Sequence, residues 1–253
     1  MAHRRIGVVT FDLWDCVFCD ETDEPKRAAA GMPSKPVARR QVLHEALSQH
    51  GPIDRAAVDI AFNTADQAFR KVWHEQYVTW TTPERIKVVL AGLNRNLPSP
   101  DLAAVSDAIE RMELECSPDL APGVREGLEA IHGKYKLAVV SDAIFTPGKY
   151  LRALLEKYHL YSYFDFFVFS DEISHSKPHP SLFESVAEHF GVECADIVHI
   201  GDRPHNDIGG PHAVGARGVL LTVVKNRPLD GHAPDAVCDN YLKLDEVLAS
   251  LER

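Results

Sequence analysis

Short apolar runs, most of them stopping at an aspartate, alternate with helical stretches through the second half of this chain. "KLAVVSD" (136–142), "FDFFVFSD" (164–171), "DIVHIGD" (196–202) and "RGVLLTVV" (217–224) are β-branched or aromatic and too short for helices. Between and after them lie helical patterns: "PGKYLRALLEKYHL" (147–160), "PSLFESVAEHFGV" (180–192) and "LDEVLASLE" (244–252). In the second of these, Phe183, Val186, Ala187 and Phe190 fall on one face. Near the start, "VVTFD" delivers Asp12 in the same way. Such alternation requires right-handed crossovers and a parallel sheet covered on both faces, so the expected fold is α/β with a Rossmann-like parallel sheet. Ligands of such sheets bind beyond the carboxyl ends of the strands.

Between these parts the texture changes. "PVARRQVLHEALSQHG" reads as a helix ending at Gly51, and "DRAAVDIAFNTADQAFRKVWHEQY" has apolar residues at helical spacing. "TTPERIKVVLAGLN" offers Thr82 as N-cap with Pro83 at the first helical position, and "SPDLAAVSDAIERMELE" repeats the pattern with Ser99 and Pro100. Leu102, Val105, Ile109 and Met112 form a packing stripe on the latter. The expected organisation is an α/β core of residues 1–18 and 119–253 with an inserted helical cap of residues 19–118. "KRAAAGMPSKP" (26–36) reads as a flexible entry and "SPDLAPG" (117–123) as the way out.

A chain of 253 residues suits one α/β domain with such an insertion. A formal charge of −10 weighs against a nucleic-acid partner. No apolar run approaches the roughly 20 residues that span a bilayer, so no membrane role is expected. "MAHRRIGVVTFD" reads as a strand and not a signal peptide. Five scattered cysteines, Cys16, Cys19, Cys116, Cys194 and Cys238, fit a reduced, cytoplasmic setting. Cys16 and Cys19 lack the second half of a zinc site, and Cys16 reads as a small buried side chain.

The strand ends carry the chemistry. Asp12, Asp202 and Asp207 would crowd negative charge at one sheet edge, which a hard divalent cation with oxygen ligands, such as Mg²⁺, neutralises. Lys177 adds a fixed positive charge, and Ser141 and loop amides after Asp12 can donate to phosphate oxygens. A phosphoryl group held there would face Asp12, whose carboxylate can attack in line to give an aspartyl-phosphate. Asp142 either orients a loop and the waters of an ion or caps a helix. His175, His179 and His205 read as satisfied loop histidines and His199 as core, while Arg203 either approaches the phosphate or is simply solvated.

The ordered segments "FDLWDC", "VVSD", "SKPHP" and "GDRPHND" resemble the four motifs of the haloacid dehalogenase superfamily, in the branch with a helical cap inserted after the first motif. The resemblance covers the core; the cap matches only in position and helical character. It implies a hydrolase of phosphoric monoesters or acyl phosphates acting on a small phosphorylated metabolite. Asp12 would be the nucleophile. Ser141 and Lys177, with Asp142 beside them, would form the phosphate-binding set. Mg²⁺ would be held by Asp12, the Trp14 carbonyl and Asp202, with Asp207 acting behind these ligands or through water.

Trp14 departs from that pattern. Phosphatases of the superfamily usually carry there a second aspartate, which protonates the leaving oxygen and then deprotonates the attacking water. An indole exchanges no proton near neutrality, and general acid–base help is worth about a hundred- to ten-thousandfold. Asp15, a cap residue or a water could take the role, the leaving group could need no acid, or turnover could be weak. The dehalogenases of the superfamily also carry an aromatic there and need no magnesium, but the paired acids Asp202 and Asp207 favour phosphate chemistry. A dehalogenase and a catalytically weak phosphate-binding protein are the alternatives.

Overall fold

In a computed structural model that describes residues 5–252, the chain opens on β1 (Val8–Phe11) and β2 (Phe18–Cys19). Helices α1 (Asp23–Ala29), α2 (Lys35–Gln49), α3 (Arg55–Gln76), α4 (Thr82–Gly92), α5 (Ser99–Glu110) and α6 (Met112–Glu115) follow, and β3 (Asp119–Leu120) returns the chain. Then come α7 (Val124–Ile131), β4 (Lys136–Ser141), α8 (Gly148–Lys157), β5 (Phe166–Phe169), α9 (Ser170–Ile173), α10 (Ser181–Phe190) and β6 (Ile197–Gly201). The last elements are α11 (Gly210–Ala213), β7 (Arg217–Leu221), β8 (Ala236–Cys238) and α12 (Leu244–Leu251). Residues 1–4 and 253, inside the expected core segments 1–18 and 119–253, lie outside the described residues.

Six strands pair in parallel in the order β5–β4–β1–β6–β7–β8. β1 is central and buried throughout, which explains why its sequence is a continuous apolar run and not an alternating one. Strand order reverses about β1, and that reversal opens a crevice at its carboxyl end. The register sets Phe11 beside both Val139 and Ile200, so Asp12 emerges level with the ends of β4 and β6.

The two cap connections run side by side, because β2 pairs antiparallel with β3. Helices α2 to α6 bury their own apolar cluster, which includes Leu43, Val58, Phe62, Ile86, Val89, Val105, Ile109 and Met112. The stripe expected on residues 99–115 faces that cluster, Leu102 at its margin, although the helix breaks at Arg111. Phe145, from the core loop after β4, packs into the same cluster.

Four local expectations need correction. Residues 26–36 are not a flexible entry. Lys26 to Ala29 continue α1, and Lys35 is buried between Asp23 and Glu113, 2.9 Å from each. That ion cluster is long-range, so no local pattern announces it. The N-caps of α4 and α5 are Thr81 and Pro98, one residue earlier than expected; Glu84 reaches back to the Thr81 amide at 2.8 Å, and Thr82 instead donates to the Phe145 carbonyl at 3.3 Å. The strand from 217 stops at Leu221, and residues 236–238 supply a sixth strand too short to show a period. Helix α7 carries no expectation from the sequence. Among the described residues, no helix is long and apolar enough to cross a membrane.

Tyr241 joins the α7 side of the core to the loop after Asp12. It is fully buried and donates its hydroxyl to the Cys16 carbonyl at 3.0 Å. Gly127 makes the room, since a Cβ there would sit 2.6 Å from Tyr241 Cδ1. Tyr241→Phe should lower stability by about 1–2 kcal/mol, because it orphans a buried carbonyl. Urea unfolding reads the loss, and a change below about 0.3 kcal/mol would mean that the bond is immaterial.

Candidate active site

Residues far apart in sequence converge on Asp12. Its amide donates to the Ile200 carbonyl at 2.9 Å, which fixes it to the end of β6, and its carboxylate is 4% exposed. Ser141 closes β4 and donates its hydroxyl to Asp12 Oδ1 at 2.7 Å. Lys177 arrives on the loop after α9, with Nζ 3.1 Å from Asp12 Oδ1 and 2.6 Å from Asp207 Oδ1. Burial alone would lower the Lys177 pKa; Asp12, Asp207 and Asp142 outweigh it and raise it. Asp142 is buried, accepting from the Lys177 amide at 2.9 Å through one oxygen and from Asn206 Nδ2 at 3.1 Å through the other. It therefore ties β4 to the lysine loop. Burial pushes its pKa to about 6, helped by Asp12 and opposed by Lys177.

Asp207 sits in a widened, π-helical turn, Pro204–Gly209, a geometry often found at functional sites. Both oxygens are committed: Oδ1 to Lys177 and His199, Oδ2 to the Arg203 amide at 2.8 Å. Only glycine fits opposite it, since a Cβ on Gly201 would lie 2.2 Å from Asp207 Cγ. His199 is core, as expected, and does more. Burial and Lys177 lower its pKa, and the ring bridges the cluster, with Nε2 3.2 Å from Asp207 Oδ1 and Nδ1 2.8 Å from the Thr10 hydroxyl. Burial would raise Asp207, but Lys177 and His199 hold it below the usual carboxylate range.

Asp202 completes the cluster and is its least satisfied member. Oδ2 accepts from Arg227 Nε at 2.6 Å, whereas Oδ1 is buried with no partner. Burial, Asp12 and Asp207 push its pKa to about 7 against the pull of Arg227. Single donor atoms of Asp12, Cys16 and Asp202 lie within 4.8 Å of one another; Asp207 is not in that set. Burial and the fields of Asp202 and Asp12 hold the Cys16 thiol well above 9, so it lines the cluster as a neutral group.

Sequence reasoning missed Arg227. It stands on the loop before β8 with no motif around it, and its Nη2 also donates to Asp15 at 3.0 Å. Lys225 reaches the same Asp15 oxygen at 2.7 Å, and the Asp20 amide takes the other at 3.1 Å. The backbone is left-handed at Asp15 (φ 55°), which turns its buried carboxylate toward this loop. His175 and His179 keep to partners in their own loop, and His205 faces His232.

A cavity of about 450 Å³ opens between core and cap. Trp14 and Arg203 form part of its wall with Phe69, Trp73, Phe145 and Arg39. Arg203 is thus not simply solvated: its guanidinium lies 6.0 Å from the Trp73 ring, and the core acids raise its pKa against the effect of burial. The cap is seated directly on the lysine loop, where Thr79 donates to Ser174 at 3.1 Å and Ser176 to Tyr77 at 2.8 Å.

A family model described as haloacid dehalogenase-like hydrolase matches residues 6–215. The chain is 33% identical over 122 residues to the probable phosphatase IndB of Dickeya dadantii, a match covering 47% of this chain and 52% of that relative, or about half its length. It is 25% identical over 251 residues to the glyceraldehyde 3-phosphate phosphatase of Pyrococcus furiosus, covering 99% of this chain and 95% of that one. Its fold is similar to the crystal structure of 2-haloacid dehalogenase from Pseudomonas syringae pv. Tomato DC3000, with a TM-score of 0.66 at 22% identity over 97% of this chain and 99% of that one.

Lys177 is the cation that makes this cluster foldable. Lys177→Met should lower stability at pH 7 by about 3–5 kcal/mol, because Asp12 and Asp207 lose their buried counter-charge. In the wild type, Asp207's depressed pKa stabilises the fold above the ordinary carboxylate range. In the variant, burial alone would raise it, so the deficit should shrink as pH falls from 7 to 5. Chemical denaturation across that range checks both; a deficit independent of pH would refute the electrostatic account.

Proposed function

Because the chain belongs to the haloacid dehalogenase-like hydrolases, we propose that it is a magnesium-dependent phosphohydrolase of a small phosphorylated metabolite. Asp12 is the nucleophile, and the reaction passes through an aspartyl-phosphate. The observation that carries this reading is Asp202 Oδ1, buried without a partner beside the Asp12 carboxylate. An orphaned carboxylate oxygen among acids fits a hard cation that takes one or two carboxylates and keeps waters. Asp12, Asp202 and the Trp14 carbonyl would hold Mg²⁺. Asp207 serves by fixing Lys177. When bound, the ion supplies charge neutralisation and polarises a phosphoryl oxygen.

The chain's own groups do the rest. Lys177 and Ser141, both on Asp12 Oδ1 at rest, donate to phosphoryl oxygens and present phosphorus to Asp12. Asp142 holds the Lys177 amide, and Arg203 adds positive charge at the rim of the cavity. The cap wall shields the intermediate from bulk water. Asp15, tied to Lys225 and Arg227, does not replace the missing acid. The substrates that suit Trp14 are therefore those whose leaving group departs without a proton, such as acyl phosphates. All five cysteines are free thiols, which agrees with a cytoplasmic setting.

Phosphate release from an acyl-phosphate and monoester panel should require Mg²⁺, cease with EDTA, and fall at least a thousandfold in Asp12→Asn. Halide release from 2-haloacids without metal would support the dehalogenase reading instead. Trp14→Asp should speed the phosphorylation step, read as the pre-steady-state burst of leaving-group release, by roughly tenfold or more on alkyl monoesters, which need an acid, and much less on acyl phosphates. Equal effects on both substrate classes would disprove the leaving-group argument.

A further inference from the structure

The cavity between cap and core is lined by a guanidinium that makes no hydrogen bond to another of the described residues. Arg39, on α2, lies with its guanidinium 3.5 Å from the centre of the Phe145 ring. Its Nε is buried and has no hydrogen-bond partner. The carboxylates whose fields reach it are Glu113, Asp66 and Glu24, and each is engaged elsewhere. Glu113 pairs with Lys35 and accepts from Thr146; Asp66 takes Arg85 at 2.6 Å and Arg40 at 3.6 Å; Glu24 accepts from the Lys35 amide at 3.0 Å. Burial draws the Arg39 pKa down to about 10 in spite of them.

Arg85 provides the internal comparison. It stacks on the same ring at 3.7 Å, yet it has Asp66 and the Ile144 carbonyl, the latter at 3.0 Å, and so holds cap to core. Arg39 has the same stacking and no such bond. A planar fork fixed by an aromatic face and turned to a cavity is preorganised for two-point recognition of a carboxylate or a phosphate.

We infer that Arg39 binds a second anionic group of the substrate, a carboxylate or a phosphate, at the end remote from the phosphoryl group that Asp12 attacks. The inference rests on the phosphohydrolase reading and adds the substrate class. A substrate without that group would leave a buried guanidinium unpaired, which is how a polar site rejects a truncated analogue. Charge-assisted hydrogen bonds of this kind correspond to roughly 10- to 100-fold in affinity.

The test uses unhydrolysable probes of equal chain length, titrated calorimetrically into the full chain with Mg²⁺: an alkylphosphonate, a phosphonocarboxylate and an alkyl bisphosphonate. One of the two doubly anionic probes should bind at least tenfold tighter than the alkylphosphonate, and which one does so identifies the second anion. Arg39→Gln should bring that ratio close to one, with Arg39→Lys between; thermal melting verifies that both variants fold. Equal binding of all three probes to the wild type, or a ratio that survives Arg39→Gln, would overturn the subsite alone. Binding of none would overturn the phosphohydrolase reading and the subsite with it.

Discussion

A buried ammonium holds the functional edge of the sheet together. Lys177 lies between Asp12 and Asp207, and none of the three is more than 4% exposed. Taking charges out of water costs several kcal/mol per ion, and attraction offsets this only where the remaining hydrogen bonds are also met. Here they are: Asp207 has His199 and the Arg203 amide, and Asp12 has Ser141. The ends of β1, β4 and β6 and the loop after α9 must therefore be in register at once. A one-residue slip in the sheet would strand a carboxylate in the core. Sheet and cluster thus specify each other.

What Lys177 and Arg227 leave unbalanced defines the chemistry. Asp15 is matched by Lys225 and Arg227, and Asp207 by Lys177, but Asp202 keeps one oxygen without a partner and a pKa near 7. Among the described residues of the cluster, that Asp202 oxygen is the buried carboxylate oxygen left without a hydrogen-bond partner. On the proposed reading, another basic side chain there would fill the volume a phosphoryl group needs, whereas a small divalent ion would add charge and leave coordination positions open. The fully buried Cys16 fits this division, since a protonated thiol adds no charge and little bulk.

How much of this is legible in the sequence follows from the range of each interaction. β1, β4 and β6 are local patterns that stop at polar residues, so Asp12, Ser141 and Asp202 can be read directly, and Asp207 from its spacing after Asp202 in "GDRPHND". Lys177 follows from its ordered place among them. Arg227 cannot be read: it bonds Asp202 from a loop with no period, and only the fold reveals the pairing. The buried Lys35–Asp23–Glu113 cluster is hidden for the same reason, and a run with glycine, proline and small residues looks like a linker when it is pinned. Short β8 fails differently, since three residues are too few to establish alternation.

Trp14 and Arg39 belong to one problem. On the proposed phosphohydrolase reading, the indole of Trp14 supplies no exchangeable proton, and Asp15 beside it is held in ion pairs with Lys225 and Arg227. A hydrolase built this way has more need of orientation, and interactions remote from phosphorus are a source of it when they strengthen as the reacting atoms align. The loop that follows Asp142 runs from the acid cluster to the cavity wall: Asp142 fixes the Lys177 amide, and three residues later Phe145 carries the guanidinium of Arg39. An anion seated on Arg39 would therefore pull on the same loop that sets Lys177 against Asp12. If Asp12 is the nucleophile, as proposed, then geometry enforced from the far end of the substrate would stand in for acid catalysis, and the loop from Asp142 to Phe145 is the segment of this fold that would transmit it.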